Sequence, residues 1–233
     1  MNEKFILKEL QSAGTPEKAA FLQRFFKTGT GQYGEGDVFF GVVVPHTRSI
    51  ARANIRTPLA EVAKLLRSNY HEARLCALLI LVERFTKAPE KEREAIFSFY
   101  LKNTSRINNW DLVDLTAPKI VGEYLLTKDR VILYHLAESD NLWEQRIAII
   151  STYTFIRKND FSDTLALSKY FLSHKHDLMH KAVGWMLRET GKRDRTTLTD
   201  FLEEFSTRMP RTMLRYAIEH YPEPERQYFL KHK

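Results

Sequence analysis

The sequence predicts an all-α fold, a solenoid of HEAT-like helical repeats (an α-α superhelix) that is curved and has a basic concave face. Two observations lead to this prediction: long segments lack both glycine and proline, and similar basic segments recur at a regular interval. The chain has 233 residues, with only 9 glycines and 8 prolines, and 43% of its residues are hydrophobic. This is the composition of an ordinary globular protein, and we expect a single domain over residues 1–233.

The repeat is visible in three segments, HEARLCAL, WEQRIAI and MHKAVGW, each with a basic residue followed by small and apolar positions. The basic residues Arg74, Arg146, Lys181 and Arg215 are separated by 72, 35 and 34 residues, and halving the first interval places another unit near residue 110. Such a period is typical of two-helix repeats. The Trp-Leu-Gly-Tyr pattern of tetratricopeptide repeats is missing, so HEAT-like repeats are favoured.

Equivalent positions of successive second helices line one face of a solenoid, so these basic residues are expected to form a basic strip. The chain carries 36 Lys and Arg against 29 Asp and Glu, a formal net charge of +7. A strip of cations binds phosphates and releases their counterions, which favours a polyanionic partner. The alternative is that these cations are solvated side chains or cap helix carbonyls.

The segment WDLVD lies where the repeat predicts the unit near residue 110, and it places Trp110 and Asp114 four residues apart on one helix face. Asp111 has another azimuth, and we interpret it as structural, a cap or a partner of the helix dipole. A carboxylate within a basic strip repels the phosphates that the strip attracts, so Asp114 indicates a function.

The helix HKAVGWMLRE presents Lys181, Trp185 and Arg188 on one face, and the repeat places this face on the same inner surface. Tryptophans are more often core residues than ligand contacts, and Trp143, near a helix start, is assigned to packing.

Several other classes of site are not favoured. There is no P-loop, no GxSxG motif and no Cys-His pair. The single cysteine, Cys76, falls in an apolar run and is interpreted as a core residue. HDLMH resembles the HExxH zinc motif only weakly, and we interpret its neighbourhood as a turn. We therefore expect no metal and no cofactor. The longest apolar run, 75–82, is too short to span a bilayer, and a cytoplasmic protein is expected.

Four segments, GQYGEGDVFFGVVVPHTR, NWDLVD, NLWEQRIAI and HKAVGWMLRE, resemble the AlkD-type family of DNA alkylation repair enzymes, which are HEAT-like-repeat alkylpurine DNA glycosylases. The resemblance spans Gly31 to Glu189 and covers essentially the whole domain. It implies that Asp114 is the catalytic aspartate, that Trp110 and Trp185 pack against the lesion-bearing nucleotide, and that Arg146 lies beside the site. One departure is GVVVP, where some members carry a glutamine facing DNA.

The resemblance implies a monofunctional glycosylase that hydrolyses the N-glycosidic bond of cationic N3- or N7-alkylated purines in double-stranded DNA, without flipping the base. Asp114 would stabilise the oxocarbenium ion and orient the water. The DNA-binding residues are expected to be Arg74, Lys181, Arg188 and Arg215, and the protein is expected to act as a monomer. Two alternatives stay open: a non-catalytic repeat protein that binds DNA or RNA structure, and a protein-binding scaffold.

Overall fold

The computed structural model describes residues 2–231, and within this range the chain is helical and forms no β-strand. The predicted all-helical fold class is therefore confirmed. Contacts between residues divide the chain into two compact units, the first ending at Ile120 and the second beginning at Val121. The expectation of a single domain stays a prediction.

The first unit contains the helices α1 (Glu3–Ala13), α2 (Pro16–Phe25), α3 (Val44–Ala53), α4 (Leu59–Leu66), α5 (His71–Lys87), α6 (Glu90–Lys102) and α7 (Trp110–Ala117). Most are joined by short turns, but a long loop, residues 26–43, connects α2 to α3. A 3-10 turn at Thr104–Arg106 precedes α7, and a π-helical segment at Pro118–Gly122 follows it.

The second unit is built in the same way: α8 (Glu123–Leu125), α9 (Val131–Ala137), α10 (Leu142–Ser151), α11 (Tyr153–Ile156), α12 (Ser162–Tyr170), α13 (Asp177–Arg193), α14 (Arg195–Phe205), α15 (Arg211–Ala217) and α16 (Glu223–Lys231). Two 3-10 turns, Phe171–Ser173 and Ser206–Arg208, join consecutive helices.

Proline lies at or immediately before several helix starts, those of α3, α4 and α6 among them, as its fixed φ and missing N–H predict. Pro45 is the second residue of α3, and Pro58 and Pro89 immediately precede α4 and α6. The apolar stretch before α3 makes one isolated bridge, between Val38 and Tyr70, and then leads into the helix.

Helix α5 forms the centre of the first unit, because its residues from His71 to Val82 are buried on every side. Cys76 lies in this stretch with no exposed surface, so its assignment to the core is confirmed. Burial, together with the charge of Glu9, raises the pKa of the Cys76 thiol to about 12. Among the helices in residues 2–231, none is long and apolar enough to cross a membrane.

In the second unit α13 and α15 approach closely at Gly184, where a Cβ atom would lie 2.5 Å from the carbonyl oxygen of Met213. Only glycine permits this backbone approach. Trp143 is 9% exposed, which confirms its assignment to packing.

The repeat register is visible in the helices themselves. Asp114, Arg146, Lys181 and Arg215 are each the fifth residue of their helix, in α7, α10, α13 and α15. Asp114 therefore occupies the position that carries a cation in the other three helices.

Candidate functional site

Helix α7 presents Trp110 at its first turn and Asp114 one turn further along. The helix begins here because Asn109 has an extended backbone and its side-chain oxygen accepts a hydrogen bond from the Trp110 N–H at 2.9 Å. Trp110 and Asp114 are both half-buried. The predicted pairing of the indole and the carboxylate on one helix is thus present in the first unit.

The charge of Asp114 affects the pKa of a neighbouring buried hydroxyl group, that of Tyr100. Tyr100 is fully buried and hydrogen-bonds Thr116 at 2.9 Å. Burial raises the pKa of Tyr100, the bond to Thr116 opposes the rise, and the charge of Asp114 adds to it. Asp114 therefore lies at the margin of the core, where a carboxylate acts on its surroundings through a medium less polar than water.

Trp110 is held by phenylalanines of α2 and the turn that follows it. Phe26 stacks on the indole with ring centroids 5.4 Å apart, and Phe25 packs edge-on at 6.1 Å. Phe26 is buried, whereas Phe25 is 53% exposed. The exposed Phe21 stacks on Phe25 at 6.0 Å. Packing of this kind restricts the orientation of the indole before any ligand binds.

A buried polar network lies beneath the start of α7. His71, the first residue of α5, bridges two carboxylates: its Nε2 is 2.8 Å from Asp111 Oδ2, and its Nδ1 is 3.2 Å from Asp37 Oδ2. Asp37 also accepts hydrogen bonds from Arg74 Nη2 at 2.6 Å and from Asn109 Nδ2 at 3.3 Å. The network connects α5, the loop before α3 and the residues that begin α7.

Burial of His71 favours its neutral form, but attraction to Asp111 and hydrogen bonds to Asp111 and Asp37 raise its pKa to about 9. The effect on Asp37 is the opposite. Its burial would raise the pKa, and the bonds and charges of His71 and Arg74 outweigh that and lower it. Both groups are therefore charged at neutral pH.

The same end of α5 fixes the valine-containing loop. The Glu72 carboxylate accepts hydrogen bonds from the backbone N–H groups of Phe40, Gly41 and Val42, at 3.1, 2.8 and 3.1 Å. By accepting three backbone hydrogen bonds, the Glu72 carboxylate satisfies N–H groups that have no partner in regular secondary structure. Glu72 was not singled out in the sequence, because its partners lie some 30 residues away along the chain.

Arg74 requires a correction. The sequence predicts that it contacts DNA, but only 1% of the residue is exposed, and its guanidinium donates to Asp37 and to the carbonyl oxygens of Ser68 and Asn69. A phosphate has no access to it. Arg74 is instead a buried ion-pair partner that stabilises the loop before α3.

Three other cations of the first unit, which the repeat register missed, surround one carboxylate. Arg52 Nε lies 3.0 Å from Glu83 Oε1, and Arg48 Nη1 lies 3.9 Å from the same oxygen. Loss of part of its hydration shell and the charges of Arg48 and Arg52 lower the pKa of Lys119, against an opposing effect of Glu83. We call Arg48, Arg52 and Lys119 the α3 basic cluster. Lys119 and the Arg52 side chain are exposed.

In the second unit, Arg146 is 4% exposed and its Nη1 donates to the carbonyl oxygen of Leu178 at 2.5 Å. It therefore ties α10 to the first turn of α13. Trp185, on α13, is half-buried; its Nε1 donates to Glu189 Oε1 at 3.1 Å, and its ring lies 6.0 Å from that of Tyr153. Arg146 thus reaches the first turn of α13, and Trp185 lies two turns further along that helix.

The remaining predicted cations differ in exposure. Lys181 is half-exposed and pairs with Asp177 at 2.7 Å. Arg188 is 18% exposed and forms ion pairs with Glu189 and Glu219. Arg215 is exposed on α15. A phosphate can therefore approach Arg215 and Lys181 more readily than Arg188.

Three histidines, His174, His176 and His180, lie around the start of α13 and bind neighbouring polar groups. His176 Nδ1 accepts from the Leu178 N–H at 3.1 Å, and His180 Nε2 lies 2.5 Å from the carbonyl oxygen of His174. His174 Nε2 lies 2.9 Å from Gln145 Oε1. Within residues 2–231 no group of three or more His, Cys, Asp and Glu side chains is arranged to hold a metal ion.

A family model described as "DNA alkylation repair enzyme" matches residues 6–221. Among solved structures, a predicted DNA alkylation repair enzyme from Enterococcus faecalis is similar, with a TM-score of 0.71 and 17% identity over 90% of this chain and 97% of that one. At this identity the likeness shows the fold alone, and it confirms the predicted helical-repeat fold. No curated protein matches the chain.

Proposed function

The chain belongs to the DNA alkylation repair enzyme family, and we propose that it is a DNA glycosylase for cationic N3- or N7-alkylated purines in duplex DNA. The observation that carries this proposal is the position of Asp114. It shares a helix with Trp110, one turn away, and it replaces the cation of the other repeats with a carboxylate. A surface that only bound phosphates would gain nothing from an acid there.

The chemistry requires negative charge more than proton transfer. An alkylated purine that is already cationic leaves as a neutral base, so it needs no general acid. Cleavage of the bond to C1′ develops an oxocarbenium ion on the deoxyribose, and water then adds to C1′ and loses a proton. A carboxylate ~4 Å from that cation stabilises it by about 4 kcal/mol at an effective dielectric constant of ~20, which is roughly a thousandfold in rate.

Asp114 is suited to this role because it is half-buried, and a less polar environment strengthens its interaction with a developing cation. In the proposed reaction its carboxylate stabilises the sugar cation and accepts a hydrogen bond from the attacking water. We expect the protein to need neither a metal nor a nucleotide cofactor for this step.

Trp110 is proposed to contribute its aromatic face to the cationic nucleotide, an interaction of about 0.5–2 kcal/mol. The stack on Phe26 supports this proposal, because it fixes the orientation of the indole in advance. Less of the binding energy is then spent on ordering the side chain.

The proposal for the second unit rests on the family resemblance of its motifs. Trp185 is the second aromatic contact, and Arg146 supports the site by holding the first turn of α13. Lys181, Arg188 and Arg215 are proposed to contact phosphates. The α3 basic cluster is proposed to supply phosphate contacts in the first unit, where Arg74 does not.

The experiment that tests the proposal measures free base released from methylated duplex DNA. The expected result is release of 7-methylguanine or 3-methyladenine well above the spontaneous rate, with no added metal. DNA that is bound without any such release would overturn the glycosylase proposal and favour a non-catalytic protein that binds nucleic-acid structure. Absence of both release and binding would exclude either function.

A further inference from the structure

The imidazole of His71 has a carboxylate oxygen at each ring nitrogen, Asp111 Oδ2 at 2.8 Å and Asp37 Oδ2 at 3.2 Å. An ionised carboxylate only accepts hydrogen bonds, and a neutral imidazole donates from one nitrogen only. Both contacts are satisfied together only when both nitrogens carry a proton. With both carboxylates ionised, the geometry therefore requires an imidazolium ion in the interior, where His71 is 2% exposed.

The charges around this ion balance. His71 and Arg74 provide two positive charges, and Asp37 and Asp111 provide two negative charges within hydrogen-bonding distance. Asn109, a neutral side chain, supplies one more donor to Asp37. Removal of the His71 proton leaves two buried carboxylates and one cation, Arg74, which pairs with Asp37, and this arrangement is costly in a low-dielectric interior.

The imidazolium is also the base of an aromatic stack that ends at Trp110. The His71 ring lies 5.0 Å from the ring of Phe39 and 4.7 Å from that of Phe26. Phe26 in turn stacks on Trp110 at 5.4 Å. Aromatic faces attract cations, so a charged His71 holds Phe26 more firmly than a neutral one.

A second path from His71 reaches the same residue through the backbone. Asp111 follows Trp110 directly, and its other carboxylate oxygen accepts from the Leu112 N–H at 2.9 Å. The bond from His71 to Asp111 therefore fixes the first turn of α7, and with it the direction in which Trp110 leaves the helix.

We propose that His71 is a positioning residue that must be charged to act: its imidazolium clamps Asp37 to Asp111 and thereby holds Trp110 in the orientation that the reaction uses. The catalytic consequence rests on the proposed function, whereas the clamp itself does not. His71 makes no contribution to bond cleavage except through Trp110 and α7.

The pH at which His71 loses its proton depends on the groups that face its ring. They are Asp111 from α7, Asp37 from the loop before α3 and Arg74 from α5; the turn after α2 faces the ring with the uncharged side chain of Phe26. Burial and Arg74 disfavour the charged form of His71, the two aspartates favour it more, and the balance raises its pKa to about 9. The clamp is expected to open as the pH rises through this value.

Two measurements on the wild-type full chain test the clamp without reference to any substrate. Nitrogen NMR of the histidine rings is expected to show both His71 nitrogens protonated at pH 7, losing a proton near pH 9. Fluorotryptophan NMR is expected to show the Trp110 resonance moving with the same midpoint while that of Trp143 stays fixed. An unprotonated His71 nitrogen at pH 7, or a Trp110 signal that does not follow the titration, would overturn the proposal.

Variants test the consequence for the reaction. We expect His71→Gln, which lacks the positive charge and has one donor nitrogen and one acceptor oxygen in place of two donor nitrogens, to lower the rate of base release at saturating DNA about tenfold or more and to abolish the decline of that rate near pH 9. DNA affinity is expected to change little. Asp163→Asn is the matched control, because Asp163 is also a buried carboxylate, paired with Arg130 at 2.6 Å and with Tyr134 at 2.7 Å.

The control should lose stability and keep the alkaline decline of the wild type. If both variants changed the pH profile alike, His71 would have only a general structural role. If the wild type released no base at all, the proposed function would fail, and the two NMR titrations would still decide whether the clamp exists.

Discussion

The guanidinium of Arg74 lies 2.6 Å from the carboxylate of Asp37 in the interior of the first unit, where these residues are 1% and 5% exposed. A buried ion pair is weak evidence of net stabilisation, but the removal of one partner leaves an uncompensated charge. The pair also belongs to the His71 network, so its loss affects the residues that begin α7.

Arg74→Met is therefore expected to destabilise the protein by about 3–5 kcal/mol, because the charge of Asp37 is left with His71 as its remaining cation. Urea denaturation measures this loss. The salt dependence of DNA binding, measured where the variant is still folded, is expected to match that of the wild type. A salt dependence that is weaker by about one phosphate contact would restore Arg74 as a DNA-binding residue.

Lys119, in contrast to Arg74, is expected to contribute to DNA binding and little to stability. Lys119→Gln removes an exposed cation from the α3 basic cluster, so it should weaken DNA binding uniformly across sequences and reduce the salt slope by about 1. Stability should change by less than about 0.5 kcal/mol, as for other exposed positions. Lys91→Gln, an exposed lysine of α6, is the control and should bind as the wild type does. Equal effects of the two variants would show that only the total charge matters.

The helices and their register were predictable because they depend on local signals. A proline at a helix start is recognisable within a few residues of sequence. The recurrence of basic residues is recognisable because its interval is fixed. The structure places Arg146, Lys181 and Arg215 at the same position of their helices, as their intervals of 35 and 34 residues predict, whereas Asp114 holds that position 32 residues before Arg146 and Arg74 is the fourth residue of α5.

How deeply the side chain at each of these helix positions is buried could not be predicted in this way. Arg146 is 4% exposed, whereas Arg215 is exposed, although the two hold the same place in their helices. Burial depends on which other segment packs over the side chain, and for Arg74 that segment is a loop 37 residues earlier in the sequence. His71 was missed for the same reason, since its two partners are 34 and 40 residues away. Contacts between residues so far apart in the sequence leave no local sequence pattern.

The buried imidazolium predicts a specific dependence of stability on pH. The pKa of His71 rises from 6.5 to about 9 on folding, so its contribution is complete below pH 6.5 and is lost as the pH rises to about 9. The loss is about 3 kcal/mol, and urea denaturation between pH 6 and pH 9.5 measures it. His71→Gln should show a much flatter profile over the same range. A wild-type stability that stays constant there would contradict the charged state of His71.

Asp114→Asn tests the catalytic assignment most directly. Asparagine keeps the size and the helix position but removes the negative charge, so the rate of base release at saturating DNA should fall by about a thousandfold. Affinity for DNA should stay within a few-fold or rise, because a carboxylate repels phosphates. Asp140→Asn, at an exposed aspartate, controls for the loss of one negative charge and should leave the rate unchanged. A variant that kept the wild-type rate would remove Asp114 from the mechanism even if the protein is a glycosylase. A fall in rate explained entirely by weaker DNA binding would instead assign Asp114 to the recognition of the lesion.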